Sequence, residues 1–191
     1  MRTFIAVDFQ TEILTKIERI IDYLRTQTPV DALKWVKRDN LHLTLKFIGE
    51  ISPDKIYQVK ALMAEALLSS TAFAVEVKGL GMYPNANNPR VVWLGIENGS
   101  GLVDTHKRLN NILSQVNIKP DTRPFSPHLT IARVKKNALP NQVKLVGGTL
   151  SQFKVGSLGI TRVENIRLYQ SELTPQGSIY TPLTTIALNQ V

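Results

Sequence analysis

The sequence predicts an α+β fold of two similar halves within a single domain. Three observations lead there. Segments of strand and helix periodicity take turns along the whole chain. No Ser/Gly linker or charge run divides the 191 residues, a length suited to one two-lobed domain over residues 1–191. And one short pattern, His-apolar-Thr-apolar, is written twice, as "HLTL" from His42 and "HLTI" from His128.

The elements come in this order. "RTFIAVDF" reads as a strand, and "TEILTKIERIIDYLRTQ" as an amphipathic helix with Ile13, Leu14, Ile17, Ile20, Ile21 and Leu24 at helical spacing. "LKWVK" and "LHLTLKFIG" are strands; Ser52-Pro53 then supplies an N-cap and a first-turn proline for a helix to about Leu68. "FAVEVKGLGMY" and "RVVWLGIE" are strands separated by the turn-rich "PNANNP". A second unit repeats the scheme: helix "SGLVDTHKRLNNILSQVN", strand "HLTIARV", a loop or short helix around "NALPNQVKLVGG", and strands near 153–158 and 162–171. "LTPQG" is a tight turn into the last strand, "IYTPLTTIAL". The pattern reads as two similar halves, each with one copy of the histidine motif.

Composition narrows the function classes. The apolar fraction of 43% is that of a globular protein, and the formal charge of +8 favours an anionic partner such as nucleic acid. The chain has no cysteine, which excludes disulfides, thiol catalysis and thiolate zinc sites and suits a reducing compartment. "MRTFIAVDFQ" is too short an apolar run for a signal peptide, and nothing approaches a membrane span.

The motif spacing carries chemistry. Alternate side chains of a strand share a face, so His42 and Thr44 lie together on one side. Leu43, Leu45 and Phe47 lie on the other, where they can pack against helices. His128 and Thr130 are paired in the same way above Leu129 and Ile131. Two imidazoles converging on one cleft suit acid–base catalysis of a displacement, one giving and one taking a proton. The threonine hydroxyls can donate to phosphoryl oxygens. Two histidines so far apart in sequence, without a neighbouring carboxylate as in HExxH, make a poor zinc set, and a G-x-S-x-G elbow is lacking.

The duplicated pattern resembles the 2H phosphoesterase superfamily. More closely, the chain resembles its bacterial and archaeal branch, the RNA 2′,3′-cyclic phosphodiesterases also called 2′-5′ RNA ligases. The likeness is carried by "RTFIAVDF", "KWVKRDNLHLTLKFIGE", "RPFSPHLTIARV" and "LYQSELTPQGSIY". The resemblance implies hydrolysis of 2′,3′-cyclic phosphate ends to 2′-phosphates, with reversible 2′-5′ ligation at the same site. It implies His42 as proton donor and His128 as acceptor, a division that spacing alone leaves open. The implied partners are RNA with a cyclic phosphate end, tRNA fragments among them, or cyclic nucleotides. It also implies the architecture: two pseudo-symmetric lobes, each an antiparallel sheet with outer helices, around a central cleft. The two-histidine device itself needs no metal or cofactor, and a cytoplasmic monomer is expected.

Among further residues, Arg133 matches an arginine that the family places at the phosphate. Strict alternation turns it away from His128, so it reaches the cleft only if the strand bends or bulges. Lys46 shares parity with His42 and is expected to steer the RNA backbone. Lys119, Arg123, Arg133, Lys135 and Lys136 outnumber Asp121 around the second motif, an electrostatic footprint for a polyanion. Phe125 and Trp35 are aromatic rings able to stack on a base. His106 reads as structural, and Tyr169 and Tyr180 as packing in the final hairpin. Two other readings compete: a non-catalytic RNA-binding module, and a different 2H enzyme such as a 3′-end RNA-trimming exonuclease or a phosphodiesterase of small cyclic nucleotides.

Overall fold

A computed structural model describes residues 1–28, 30–175 and 177–190. The chain runs β1 (Arg2–Val7), α1 (Thr11–Gln27), β2 (Leu33–Trp35), β3 (Leu43–Glu50), α2 (Pro53–Leu67), β4 (Phe73–Tyr83) and β5 (Val91–Glu97). It continues through α3 (Ser100–Ile112), β6 (His128–Val134), α4 (Pro140–Leu150), β7 (Ser157–Val163), β8 (Asn165–Thr174) and β9 (Gly177–Ala187). Short 3-10 turns at Arg38–Asn40 and Leu113–Val116 lead into β3 and close α3.

Local sequence explains most boundaries. Helix α1 buries Ile13, Ile17, Ile21 and Leu24, an i, i+4 stripe facing the core. In α2 the Ser52 hydroxyl accepts the Lys55 N–H at 3.4 Å, and Pro53 occupies the first turn, where its missing N–H is harmless. Two expectations shift. The segment around "NALPNQVKLVGG" is a full helix, α4, burying Val143, Val146 and Leu150. The strand expected near 153–158 begins only at Ser157, because Phe153 is used in packing edge-on against Tyr23 of α1 at 5.7 Å. Of the expected "LTPQG" turn, Gln176 lies outside the described residues; Thr174 and Gly177 on either side pair as the closing rung of β8 and β9.

Two antiparallel sheets form the frame, one in the order β3-β1-β8-β9 and the other in the order β2-β6-β5-β4-β7. Each carries one histidine motif, on β3 and on β6. The lobes are not the two halves of the sequence, however. β2, β4 and β5 from the first half join β6 and β7, while β8 and β9 from the second half join β1 and β3. One contiguous apolar cluster includes residues of both sheets, from Ile5 and Leu43 to Leu94, Leu129 and Ile131. A separate small cluster of Phe4, Ala6 and Tyr169, with Tyr180 against it, occupies the other face of the first sheet. Among the described residues, no helix is long and apolar enough to cross a membrane.

Candidate active site

The two motif strands share a local irregularity that decides what faces the cleft. In β1, Phe4 and Ala6 lie on one face; they pair with Phe47 and Thr44, while Ile5 between them pairs with Lys46. Leu45 is therefore an extra residue, a β-bulge. In β5, Val91, Trp93 and Gly95 lie on one face and pair with Arg133, Thr130 and His128. Here the extra residue is Ile131. Each bulge comes directly after the motif threonine, and each reverses the alternation beyond it.

Three assignments change or become definite as a result, and those of Phe125 and Trp35 are decided by their own packing and pairing. Arg133 turns to the same face as His128 and Thr130, the bulge supplying the bend that strict alternation lacked. Phe47, expected on the apolar back, is 61% exposed on the cleft side, with its ring 6.2 Å from Phe4. Lys46, expected to meet RNA, is instead 1% exposed. Its ammonium donates to Asn110 Oδ1 (2.7 Å), the Lys119 carbonyl (3.2 Å) and Asp121 Oδ2 (3.1 Å). Burial of that charge is tolerable because three oxygens, one of them ionised, replace its water. Phe125, the other expected substrate contact, lies flat on His106 (4.5 Å, 7°) and packs against the core. His106 is itself buried, with Nε2 3.2 Å from Asp121 Oδ2. Trp35 likewise faces away from Arg133, since it pairs with Ala132, and sits under the Arg25 guanidinium at 5.9 Å.

The two histidines are held alike. His42 Nδ1–H donates to the carbonyl of Asn40, two residues back, at 2.8 Å. His128 Nδ1–H donates to the carbonyl of Ser126, also two residues back, at 2.8 Å. A carbonyl cannot donate, so in each ring Nδ1 keeps its proton and Nε2 is the nitrogen that gains or loses one. His42 Nε2 lies 3.1 Å from the Thr44 hydroxyl, which donates to the neutral ring and accepts from the charged one. Each ring also has a tyrosine edge-on: Tyr180 on His42 (5.0 Å, 89°) and Tyr83 on His128 (5.1 Å, 83°).

Around His42 the wall is aromatic. Phe4 lies 4.8 Å below it and stacks on Tyr169 at 5.3 Å. The Tyr169 hydroxyl donates to both Asp8 carboxylate oxygens at 2.8 Å, and Arg167 also pairs with Asp8. Burial raises the Tyr169 pKa above its ordinary value, so the phenol stays protonated as a donor. The His42 pKa is lowered, chiefly by burial, which disfavours the imidazolium; the Asn40 carbonyl and the Asp8 charge oppose this, and the Arg133 charge adds to it. The two motif strands, one from each sheet, pack against each other. Beside His128, the Trp93 indole covers Gly81, where a Cβ would lie 2.2 Å from the ring, so only glycine admits it.

Thr44 and Thr130 thus accompany His42 and His128 as the motif spacing predicts. Tyr83, Trp93, Phe47, Asp8 and the pair Tyr169 and Tyr180 were not legible as site residues, because register and strand order place them there. Among the described residues, no three His, Asp or Glu side chains gather into a set that could hold a metal ion.

The 2′-5′ RNA ligase superfamily profile matches residues 13–167. The chain is 34% identical over 189 residues to the RNA 2′,3′-cyclic phosphodiesterase of Methanothermobacter thermautotrophicus, covering 98% of this chain and 99% of that protein. It is 30% identical over 190 residues to the Escherichia coli protein of the same name, covering 99% and 97%. Among solved structures, Escherichia coli LigT complexed with 3′-AMP matches with a TM-score of 0.78 at 28% identity, covering 99% of this chain and 98% of that one. TT0787 of Thermus thermophilus matches with a TM-score of 0.81 at 28% identity, covering 100% and 99%.

Proposed function

Because the chain belongs to the 2′-5′ RNA ligase superfamily, we propose that it is an RNA 2′,3′-cyclic phosphodiesterase, a hydrolase that opens 2′,3′-cyclic phosphate ends to 2′-phosphates by two-histidine acid–base catalysis. The observation that carries this reading is the matched pair of imidazoles. Each is pinned through Nδ1 to the carbonyl two residues before it, and each is followed by a threonine on the same face.

His128 Nε2 takes a proton from water as the water oxygen bonds to phosphorus, the bond from phosphorus to the 3′-oxygen breaks, and His42 Nε2–H protonates that oxygen. The product carries a 2′-phosphate and a 3′-hydroxyl. The direction, with His42 as acid, follows the family pattern. In this reading the Thr44 hydroxyl beside His42, and the Thr130 hydroxyl and Arg133 guanidinium on the face of His128, serve the phosphoryl oxygens, where charge sits in the transition state. Burial disfavours the His42 imidazolium in the free protein, and the negative charge of the bound phosphate favours it. A 5′-hydroxyl in place of water yields a 2′-5′ linkage by the same two proton transfers.

The natural partner in this reading is RNA bearing a cyclic phosphate, tRNA fragments included, met by one two-lobed monomer. A cysteine-free chain and an RNA substrate suit the cytoplasm. The test is incubation with a 2′,3′-cyclic nucleotide and with cyclic-phosphate-ended RNA, followed by identification of the product isomer. A 2′-phosphate is expected. A 3′-phosphate, or release of whole nucleotides from an uncapped 3′ end, would replace this function with that of another 2H enzyme.

A further inference from the structure

The bulge that turns Arg133 toward His128 also places a second cation beside it. Arg133 pairs directly with Lys34 on β2, the short strand at the edge of the second sheet. On its other side Arg133 pairs with Val91, which in turn pairs with Tyr83. Directly paired residues share a face, so Lys34, Arg133, Val91 and Tyr83 form one row across the cleft side. Thr130 and Trp93 form the next row, and His128 and Gly95 the one after it. Both cations are exposed, and among the described residues neither takes part in an ion pair. Lys135, two residues beyond Arg133, contrasts with them, being neutralised by Asp31 at 2.6 Å. Two unpaired cations side by side repel each other unless an anion joins them, yet this row holds them at direct cross-strand distance.

The proposed function gives one anion to this face: the reacting phosphate, served by Arg133. Lys34 lies one strand further out, ~4.8 Å at the backbone, on a side chain long enough to reach a neighbouring group. We propose that Lys34 holds the phosphodiester that joins the terminal nucleotide of the substrate to the one before it. The site would then distinguish the end of an RNA chain, which has this second phosphate, from a free cyclic mononucleotide, which lacks it. The proposal rests on the reading of the site as one for RNA ends, and names a residue that selects the polymer.

Binding of two product-like ligands tests it: a nucleoside 2′-monophosphate and a dinucleotide ending in a 2′-phosphate, each titrated by calorimetry at several salt concentrations. Lys34→Ala should weaken dinucleotide binding about tenfold, the loss of one charge-assisted contact, and leave the mononucleotide within about twofold. The slope of log affinity against log salt for the dinucleotide should become shallower by roughly 0.7, one phosphate contact to a single strand. Lys34→Glu should deepen the same selective loss. Lys107→Ala on α3, exposed and outside the cleft strands, removes equal net charge and should leave the dinucleotide slope unchanged. Equal weakening of both ligands would place Lys34 at the reacting phosphate and overturn the proposal. No weakening, with an unchanged slope, would overturn it as well. If cyclic-phosphate-ended RNA is not hydrolysed by the intact protein, the catalytic reading falls, while these titrations still decide the subsite.

Discussion

His42 is where the chemistry is most exposed to test. In its proposed role as the acid it must be protonated, and burial lowers its pKa in the free protein. The rate constant kcat/KM reports the free enzyme, so burial of His42 should shift its pH profile to lower pH than two ordinary imidazoles would give. Bound phosphate favours the imidazolium, so the alkaline limb of kcat should lie at higher pH than that of kcat/KM. His42→Ala should flatten this limb and His128→Ala the acid limb, each slowing turnover roughly a hundredfold to ten-thousandfold. If His42→Ala flattened the acid limb instead, the two roles would be exchanged. Thr44→Val and Thr130→Val should cost less and preserve the bell. Phe47 offers a different measurement. An exposed ring beside Phe4 at the cleft is a stacking surface for a base, and one such stack is worth ~1–3 kcal/mol. Phe47→Ala should therefore raise KM about tenfold with kcat little changed, and Phe47→Trp should restore it; an unaltered KM for Phe47→Ala would remove the ring from the binding site.

Elements act here through irregularity. The bulges at Leu45 and Ile131 each bury two successive residues and bring the next one to the cleft: Phe47 in β3, Arg133 in β6. The same bulge that exposes Phe47 drives Lys46 inward, where its ammonium ties β3 to α3 through Asn110 and to the segment before β6 through Lys119 and Asp121. That segment ends at Ser126, whose carbonyl orients His128. A strut from one motif strand thus braces the approach to the other motif. Asp121→Ala strands a buried cation and should destabilise the fold by about 3 kcal/mol, the lower end for a broken buried pair because two oxygens remain. Lys46→Met removes the charge while keeping an apolar stem, and should cost less. Chemical denaturation of both variants checks the order; if Lys46→Met proved the worse of the two, packing rather than charge pairing would be the strut's main contribution.

For the molecule as a whole, the proposed catalysis depends on two sheets meeting. Each sheet brings one imidazole, one hydroxyl and one edge-on tyrosine, so neither half of the chemistry exists without the other. Because the proton transfers require only these side chains, hydrolysis should continue undiminished in excess chelator. Loss of activity there, restored by a divalent ion, would end the two-histidine mechanism. The double variant His42→Ala, His128→Ala should lose far less than the product of the single losses, since groups that act as a unit are not additive.

Helices and strands were legible in the residue order, with few errors of extent, because amphipathic period is a local property. The stripe Ile13, Ile17, Ile21, Leu24 and the alternation in "HLTL" need no partner to be read. The motif repeat likewise singled out His42, Thr44, His128 and Thr130 as two histidine–threonine pairs, each sharing a strand face. The faces taken by the residues beyond each threonine came from tertiary pairing instead. A bulge is counted against the opposite strand, so Leu45 is extra only because Ala6 and Ile5 pair with Thr44 and Lys46. For that reason Lys46 and Phe47 exchanged their expected faces, and Arg133 reached the cleft. Strand exchange between the halves was hidden on the same ground. Sheet order depends on which edges meet in space, and that meeting is what carries Tyr180 to His42, Tyr83 to His128 and Lys34 to Arg133.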